Sequence, residues 1–305
     1  MPGGARANKG CLSYPPVCPF LVMPGFIPGI HVFKFAAKQD VDGRNKSGHD
    51  DPRPGFVRTI ATILCLILAT AARAAALLPD DFVFLRDIDP TIIQDIRYAG
   101  LNNFVGRPLA GYVAAECVVK RDVALYLQSI QQELALQRLS LKMLDCYRPV
   151  RAVRDMVAWA HDGRETAAQR RYNPAFSKAD LFRLGYIAEQ SGHSTGAAVD
   201  LTLVDLKADN SVAFDSNRAY ADCTAPARAR APEGSVDMGT GYDCSDVKAH
   251  TAGKSITSAQ RRWREKLLLL MARRGFANYS KEWWHFSLPG VGSRAYDFSI
   301  IRDAR

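Results

Sequence analysis

The chain has 305 residues and a formal net charge of +9, with 40 Lys or Arg against 31 Asp or Glu. Much of that excess sits at the start, where residues 1–76 hold nine Lys or Arg and four Asp or Glu, so residues 77–305 carry only +4. That removes most of the support for a nucleic-acid partner, and residues 77–305 fit one domain with a substantial core. No internal repeat or coiled-coil heptad is visible.

Residues 1–56 are rich in Gly, Pro and charge and lack helical or strand periodicity. Such a stretch cannot easily bury a core, and it reads as an extension outside the working protein. Behind Arg58, the run from Thr59 to Ala72 is a short apolar core, and Ala72-Arg73-Ala74 is a small-x-small cleavage site. Residues 57–74 therefore read as a secretory signal peptide, too short for a comfortable membrane span. The expected location is periplasmic or secreted, with no stable membrane span after cleavage; an uncleaved anchor or a buried helix is the alternative. A signal this deep suggests a start near Val57, with a prosequence as the rival explanation. Cys11 and Cys18 then look incidental.

Residues 75–305 form the expected catalytic domain. Val123, Leu127, Ile130 and Leu134 recur at helical spacing, and Leu139 to Met143 then alternates like a strand leading to Arg148. A second helix is expected after Pro149, through Val153, Met156 and Trp159. His193 lies in a Gly-containing loop. The run from Ala198 to Val204 alternates, putting Val199, Leu201 and Leu203 on one face of a strand and Asp200 and Thr202 on the other. Trp263, Leu267, Leu270 and Met271 mark another helix, ended by Gly275. A last strand region carries Glu282 and His285. Helices and strands are segregated, which predicts an α+β single domain whose central, mainly antiparallel sheet is flanked by helices. The leucines from Leu267 to Leu270 read as core, not as a membrane element.

His193, Asp200 and His285 can supply the three nitrogen or oxygen ligands of a catalytic zinc, which keeps a fourth position for water. Glu282, three residues before His285, is the candidate base for that water. Gly196, Ala197 and Ala198 would let backbone pack close to the metal. Trp283 and Trp284 would give a partly apolar wall that limits water. Alone, these patterns support a zinc hydrolase of unstated substrate.

The segments SGHSTGAAVDLTL and YSKEWWHF resemble the two signatures of the VanX-like D-alanyl-D-alanine dipeptidases, zinc peptidases related to the D,D-carboxypeptidases. DIRYAGLNNFVGRPLAGY at 95–112, DCYRP at 145–149 and DMGTGYD at 237–243 resemble further segments of the family, so the likeness runs from about Phe84 to about Phe298. It implies one zinc per chain on His193, Asp200 and His285, with Glu282 as general base. It further implies that Arg148 stabilises the oxyanion and that Asp243 pairs with the free ammonium of the substrate, D-Ala-D-Ala or a short cell-wall peptide. Ser191 is a candidate to help hold that substrate. A D,D-carboxypeptidase acting on longer muropeptides, or a zinc-bearing cell-wall binding module without catalysis, are the alternatives; Asp243 speaks against the first and Glu282 against the second. Between Asp200 and DMGTGYD lies a long polar stretch around 205–236 that reads as an insertion, either a lid or a surface loop.

Four cysteines remain after the signal: Cys117, Cys146, Cys223 and Cys244. In an oxidising compartment they invite two disulfides, with three possible pairings. The favoured one joins Cys117 to Cys146, tying a helix start to the strand before Arg148, and Cys223 to Cys244, closing the insertion beside Asp243. No CxxC spacing suggests zinc on these thiols.

Overall fold

A computed structural model describes residues 78–302. The expected extension over 1–56, the signal peptide over 57–74, and Cys11 and Cys18 lie outside the described residues. In chain order the elements are β1 (Phe82–Phe84), α1 (Leu85–Ile88), β2 (Ile93–Gln94), β3 (Val118–Lys120), α2 (Arg121–Ala135), β4 (Leu139–Asp145), α3 (Val150–Ala160), α4 (Ala167–Tyr172), α5 (Lys178–Leu184), β5 (Ala198–Asp205), α6 (Ser258–Ala272), β6 (Ala277–Asn278) and β7 (His285–Ser287).

Five strands form the central sheet in the order β2-β4-β5-β7-β6, while β1 and β3 pair as a small antiparallel ribbon. Only β2 and β4 are parallel within the central sheet; its other pairs are antiparallel. This is the α+β architecture expected from the segregated pattern. Helix α2 buries Val123, Leu127, Ile130 and Leu134, the four residues at helical spacing. Helix α6 starts on a capping box in which the Thr257 hydroxyl accepts from the Gln260 backbone N–H and the Gln260 side chain accepts from the Thr257 backbone N–H. Its Leu267 and Leu270 are core, whereas Leu269 faces outward. No helix among the described residues is long and apolar enough to cross a membrane.

The alternation in β5 does not separate a dry face from a wet one. Asp200 and Thr202 are as buried as Val199, Leu201 and Leu203, because β5 lies at the middle of the sheet and is covered on both sides. Burial of Asp200 is tolerable only with partners for its charge. The register supplies them, placing Asp200 opposite Asp145 of β4 and opposite His285 of β7. Three polar residues from three adjacent strands thus stand in one row across the sheet.

Both disulfides join the favoured partners, Cys117 with Cys146 and Cys223 with Cys244. The first ties the segment before α2 to the end of β4, directly after Asp145. The second ties the long loop after β5 to the residue following Asp243. The bridged pairs are 29 and 21 residues apart in sequence, so losing either should cost about 3–4 kcal/mol of stability by loop-closure entropy. Urea unfolding of Cys117→Ser/Cys146→Ser and of Cys223→Ser/Cys244→Ser checks this; unchanged midpoints would refute it.

Candidate active site

Asp200 and His285 of that row line a cleft of about 370 Å³, with Asp145 fully buried beside them. His193 joins it from a short 3₁₀ turn, Gly192–Thr195, just before β5. Ser191 starts that turn, its hydroxyl accepting the His193 backbone N–H, while the His193 carbonyl accepts the Arg148 N–H. Gly196 ends the turn at φ 76°, and a Cβ there would meet the Phe82 ring at 2.2 Å. Its smallness therefore serves packing against β1 rather than close approach to a metal.

Three atoms converge in the cleft. His193 Nε2 is 3.1 Å from His285 Nδ1, His285 Nδ1 is 3.0 Å from Asp200 Oδ1, and His193 Nε2 is 3.3 Å from that same oxygen. Ligands of a tetrahedral zinc with bonds of about 2.0–2.1 Å stand about 3.3 Å apart, so the triangle has the size such an ion requires. Donor chemistry fits as well. His193 Nδ1 lies 2.8 Å from the Cys146 carbonyl oxygen, which can only accept, so the ring proton is there and Nε2 presents a lone pair. Ser287 Oγ lies 3.4 Å from His285 Nε2, and a proton directed at it leaves the Nδ1 lone pair facing Asp200. Three lone pairs aimed at one point repel unless a cation sits among them. His193, Asp200 and His285 are the group able to hold a metal ion among the described residues.

The surrounding contacts hold this triangle still. Tyr242 donates to Asp200 Oδ2 at 2.9 Å, leaving Oδ1 for the triangle. Burial would raise the Asp200 carboxyl, but without a metal the charge that the His193 and His285 rings carry when protonated holds it well below the usual carboxylate range. Arg148 donates to the fully buried Asp145 through Nε at 2.9 Å, with a second guanidinium nitrogen 2.8 Å away, and stacks 4.8 Å above the Tyr98 ring. Tyr112 donates to the other Asp145 oxygen at 2.6 Å.

Glu282 stands in the turn between β6 and β7, with Oε2 3.8 Å from His285 Nδ1, outside the triangle but beside it. Burial raises its carboxyl to about 8, with Asp200 and Asp243 adding and His285 opposing. Asp243 follows Tyr242 with φ 57°, a left-handed conformation that Asp tolerates better than most residues. That reversal lets Tyr242 reach Asp200 while Asp243 lines the cleft and accepts from the Tyr98 hydroxyl at 2.7 Å. Burial, then the Asp200 charge, pushes the Asp243 carboxyl up to about 8.

The Glu282 shift has a consequence for the metal-free protein. A carboxyl whose folded pKa exceeds its unfolded value contributes stability that is full below the unfolded value, near 4.5, and is lost as pH rises towards about 8. Chelated wild type should therefore lose melting temperature relative to chelated Glu282→Gln across that window. Parallel melting curves at pH 4.5 and 8 test it, and a constant difference would contradict the burial of this group.

All seven expected site residues, His193, Asp200, His285, Glu282, Arg148, Asp243 and Ser191, line this one cleft. The two tryptophans divide. Trp283 is buried away from it, donating to Thr240 Oγ1, while Trp284 packs edge-on against Tyr242. Nothing from 205–236 lines the cleft; Glu233 instead accepts the Tyr242 N–H and lies 3.6 Å from Arg97, so the loop braces the site from behind. Sequence reasoning did not single out Asp145, Tyr98, Tyr112 or Tyr242. All four stand inside the quoted segments: Asp145 in DCYRP beside Arg148, Tyr242 in DMGTGYD beside Asp243, and Tyr98 and Tyr112 in the stretch 95–112, where no single residue stood out.

The D-ala-D-ala dipeptidase family matches over residues 79–217 and 206–302. A D-alanyl-D-alanine dipeptidase of Streptomyces coelicolor is 32% identical over 208 residues, covering 68% of this chain and 91% of that protein. The protein of the same name from Enterococcus faecalis is 31% identical over 207 residues, with the same coverage of 68% and 91%. One from Escherichia coli K12 is 27% identical over 214 residues, 70% of this chain and 87% of its own length. Matched along nearly all of its described residues, the chain belongs to the D-ala-D-ala dipeptidase family.

Proposed function

We propose that this chain is an exported zinc dipeptidase that hydrolyses D-Ala-D-Ala to free D-Ala. The observation that carries the reading is the meeting, in one cleft, of the His193–Asp200–His285 triangle with Glu282 beside it and with Asp243. Zinc, when bound there, supplies a Lewis acid for the scissile carbonyl and acidifies the attacking water. Glu282 takes the proton from that water and gives it to the departing amine, an exchange open to a carboxylate that stands beside the triangle without belonging to it. Arg148, charged and fixed by Asp145, faces the carbonyl oxygen as it gains charge. Asp243 pairs with the substrate ammonium, whose positive charge favours the ionised carboxylate, and Ser191, at the start of the His193 turn, adds a hydroxyl to the cleft. An ammonium partner is useful only when the amino end of the substrate lies in the cleft, which favours a dipeptide over a longer chain. Two disulfides support an oxidising compartment such as the periplasm or the exterior.

Release of D-Ala from D-Ala-D-Ala, abolished by chelation and restored by zinc, is the expected result. N-acetyl-D-Ala-D-Ala should be cleaved far more slowly than the free dipeptide. Cleavage of a muropeptide pentapeptide but not of the dipeptide would replace this reading by a D,D-carboxypeptidase, and zinc binding without any cleavage by a binding module. N-terminal sequencing of the exported protein tests the cleavage after Ala74, and a mature chain retaining residues before Val57 would rule out a start there.

A further inference from the structure

Asp243 faces the cleft from a left-handed backbone, which a non-glycine residue keeps only where its surroundings hold it there. The holds lie on either side of it. Cys244, the next residue, is bonded to Cys223, and the N–H of Tyr242, the residue before, reaches Glu233 Oε1 at 2.8 Å. The Gly241 N–H donates to the Cys223 carbonyl, also at 2.8 Å. The Cys223–Cys244 bond closes a ring of chain that contains both Glu233 and Asp243, and the Glu233 side chain is a strut across that ring.

The strut is anchored at its far end. Lys142 of β4 donates to the Glu233 carbonyl and stands 3.0 Å from Asp95 Oδ2, so the Glu233 backbone is held independently of its carboxylate. Glu233 Oε1 is also 3.6 Å from an Arg97 guanidinium nitrogen that has no hydrogen-bond acceptor among the described residues. Arg97 is buried, pairs with Asp95 at 3.0 Å and lies 5.8 Å from the centre of the Tyr242 ring. The Tyr242 N–H and Arg97 thus meet at one oxygen of Glu233.

From this junction we infer that Glu233 is a positioning residue: by holding the Tyr242 N–H it keeps Asp243 turned into the cleft, and so sets how strongly the enzyme prefers a substrate with a free ammonium. The inference rests on the reading of Asp243 as the ammonium partner. Without the strut, the chain entering Asp243 is free to turn and the left-handed residue can relax. The Tyr98 hydroxyl still donates to the Asp243 carboxylate at 2.7 Å, so the preference shrinks rather than vanishes. Tyr242 also donates to Asp200, and loosening it there affects every substrate alike, whereas the ammonium preference reports on Asp243. The polar stretch around 205–236 thereby acts on specificity without lining the cleft.

The test compares kcat/KM for D-Ala-D-Ala with that for propionyl-D-Ala, the same molecule with hydrogen in place of the ammonium. Wild type should prefer the dipeptide by at least about 10-fold, as a hydrogen bond between charged groups provides. Glu233→Ala should shrink that preference by about 5-fold, the loss of one positioning hydrogen bond. Glu233→Gln should stay within about 2-fold of wild type, because its amide oxygen can accept where Oε1 does. Glu233→Asp keeps the charge but is one carbon too short, and should behave like Glu233→Ala; it carries the test if circular dichroism finds Glu233→Ala unfolded. In an Asp243→Asn background, Glu233→Ala should change the preference no further. A purely structural role would lower both rates together and leave the preference at its wild-type value. That result, or a Glu233→Gln variant as impaired as Glu233→Ala, would overturn the inference and leave the dipeptidase reading intact. Equal rates for the two substrates in wild type would remove Asp243 as the ammonium partner, and the inference with it. If wild type releases D-Ala from neither, the dipeptidase reading fails first, and the role of Glu233 falls with it.

Discussion

Glu282→Gln should lower kcat/KM for D-Ala-D-Ala by about 100- to 10,000-fold while the protein still binds one zinc. The expectation follows from where the carboxylate stands. Triangle atoms lie 3.0–3.3 Å apart, but Glu282 Oε2 is 3.8 Å from His285 Nδ1 and bonds to neither of the other two. It is next to the triangle without being part of it. The backbone at this position is held independently of the side chain, since its N–H reaches the Tyr279 carbonyl and its own carbonyl accepts from Asn278. An amide of the same shape can stay in place and yet has no basic oxygen to receive a proton. Zinc content and single-turnover rates measured on one preparation separate the two roles. A variant that turns over like wild type would remove Glu282 as the base; one that also loses zinc would make it a ligand.

The fold and the triangle were legible in the sequence for different reasons. Helices α2 and α6 announce themselves because one stripe of each faces the core, so apolar residues recur at the helical period. The triangle was legible because metal ligation restricts residue type so sharply that His193, Asp200, Glu282 and His285 stand out in their own short segments. What resisted reading was the support behind them. Tyr98, Tyr112 and Tyr242 are buried tyrosines, indistinguishable in a sequence from core aromatics until each hydroxyl is seen to reach a carboxylate. Asp145 alternates into a strand that is buried on both faces, where periodicity marks nothing. The long loop after β5 presented the opposite difficulty: its polarity suggested a freely tolerated surface or a lid, and only Glu233 and Cys223 reveal a brace.

That hidden support decides how Arg148 responds to substitution. Arg148→Ala should lower kcat by about 100- to 1,000-fold, equivalent to about 3–4 kcal/mol, with a smaller change in KM. A guanidinium that acts on the developing oxyanion contributes in the transition state more than in the ground state, so its loss falls on kcat. Arg148→Lys should recover little of the activity, although it restores the charge. Asp145 Oδ2 receives two nitrogens of the fork, at 2.9 and 2.8 Å, and the planar group lies over Tyr98. A lysine ammonium is a single point that can meet Asp145 or the cleft, but not both, and it has no plane to stack. Removing the guanidinium also leaves Asp145 buried with Tyr112 as its side-chain donor and His193 Nδ1 3.5 Å away, which costs stability. Melting temperature therefore has to be measured beside the kinetics, and the kinetic loss read at a temperature where both variants are folded. Should Arg148→Lys regain near-wild-type kcat, charge alone would suffice, and the Asp145–Tyr98 cradle would matter only for folding. If the loss in Arg148→Ala lies wholly in KM, the residue binds substrate in the ground state and its place opposite the developing charge is wrong.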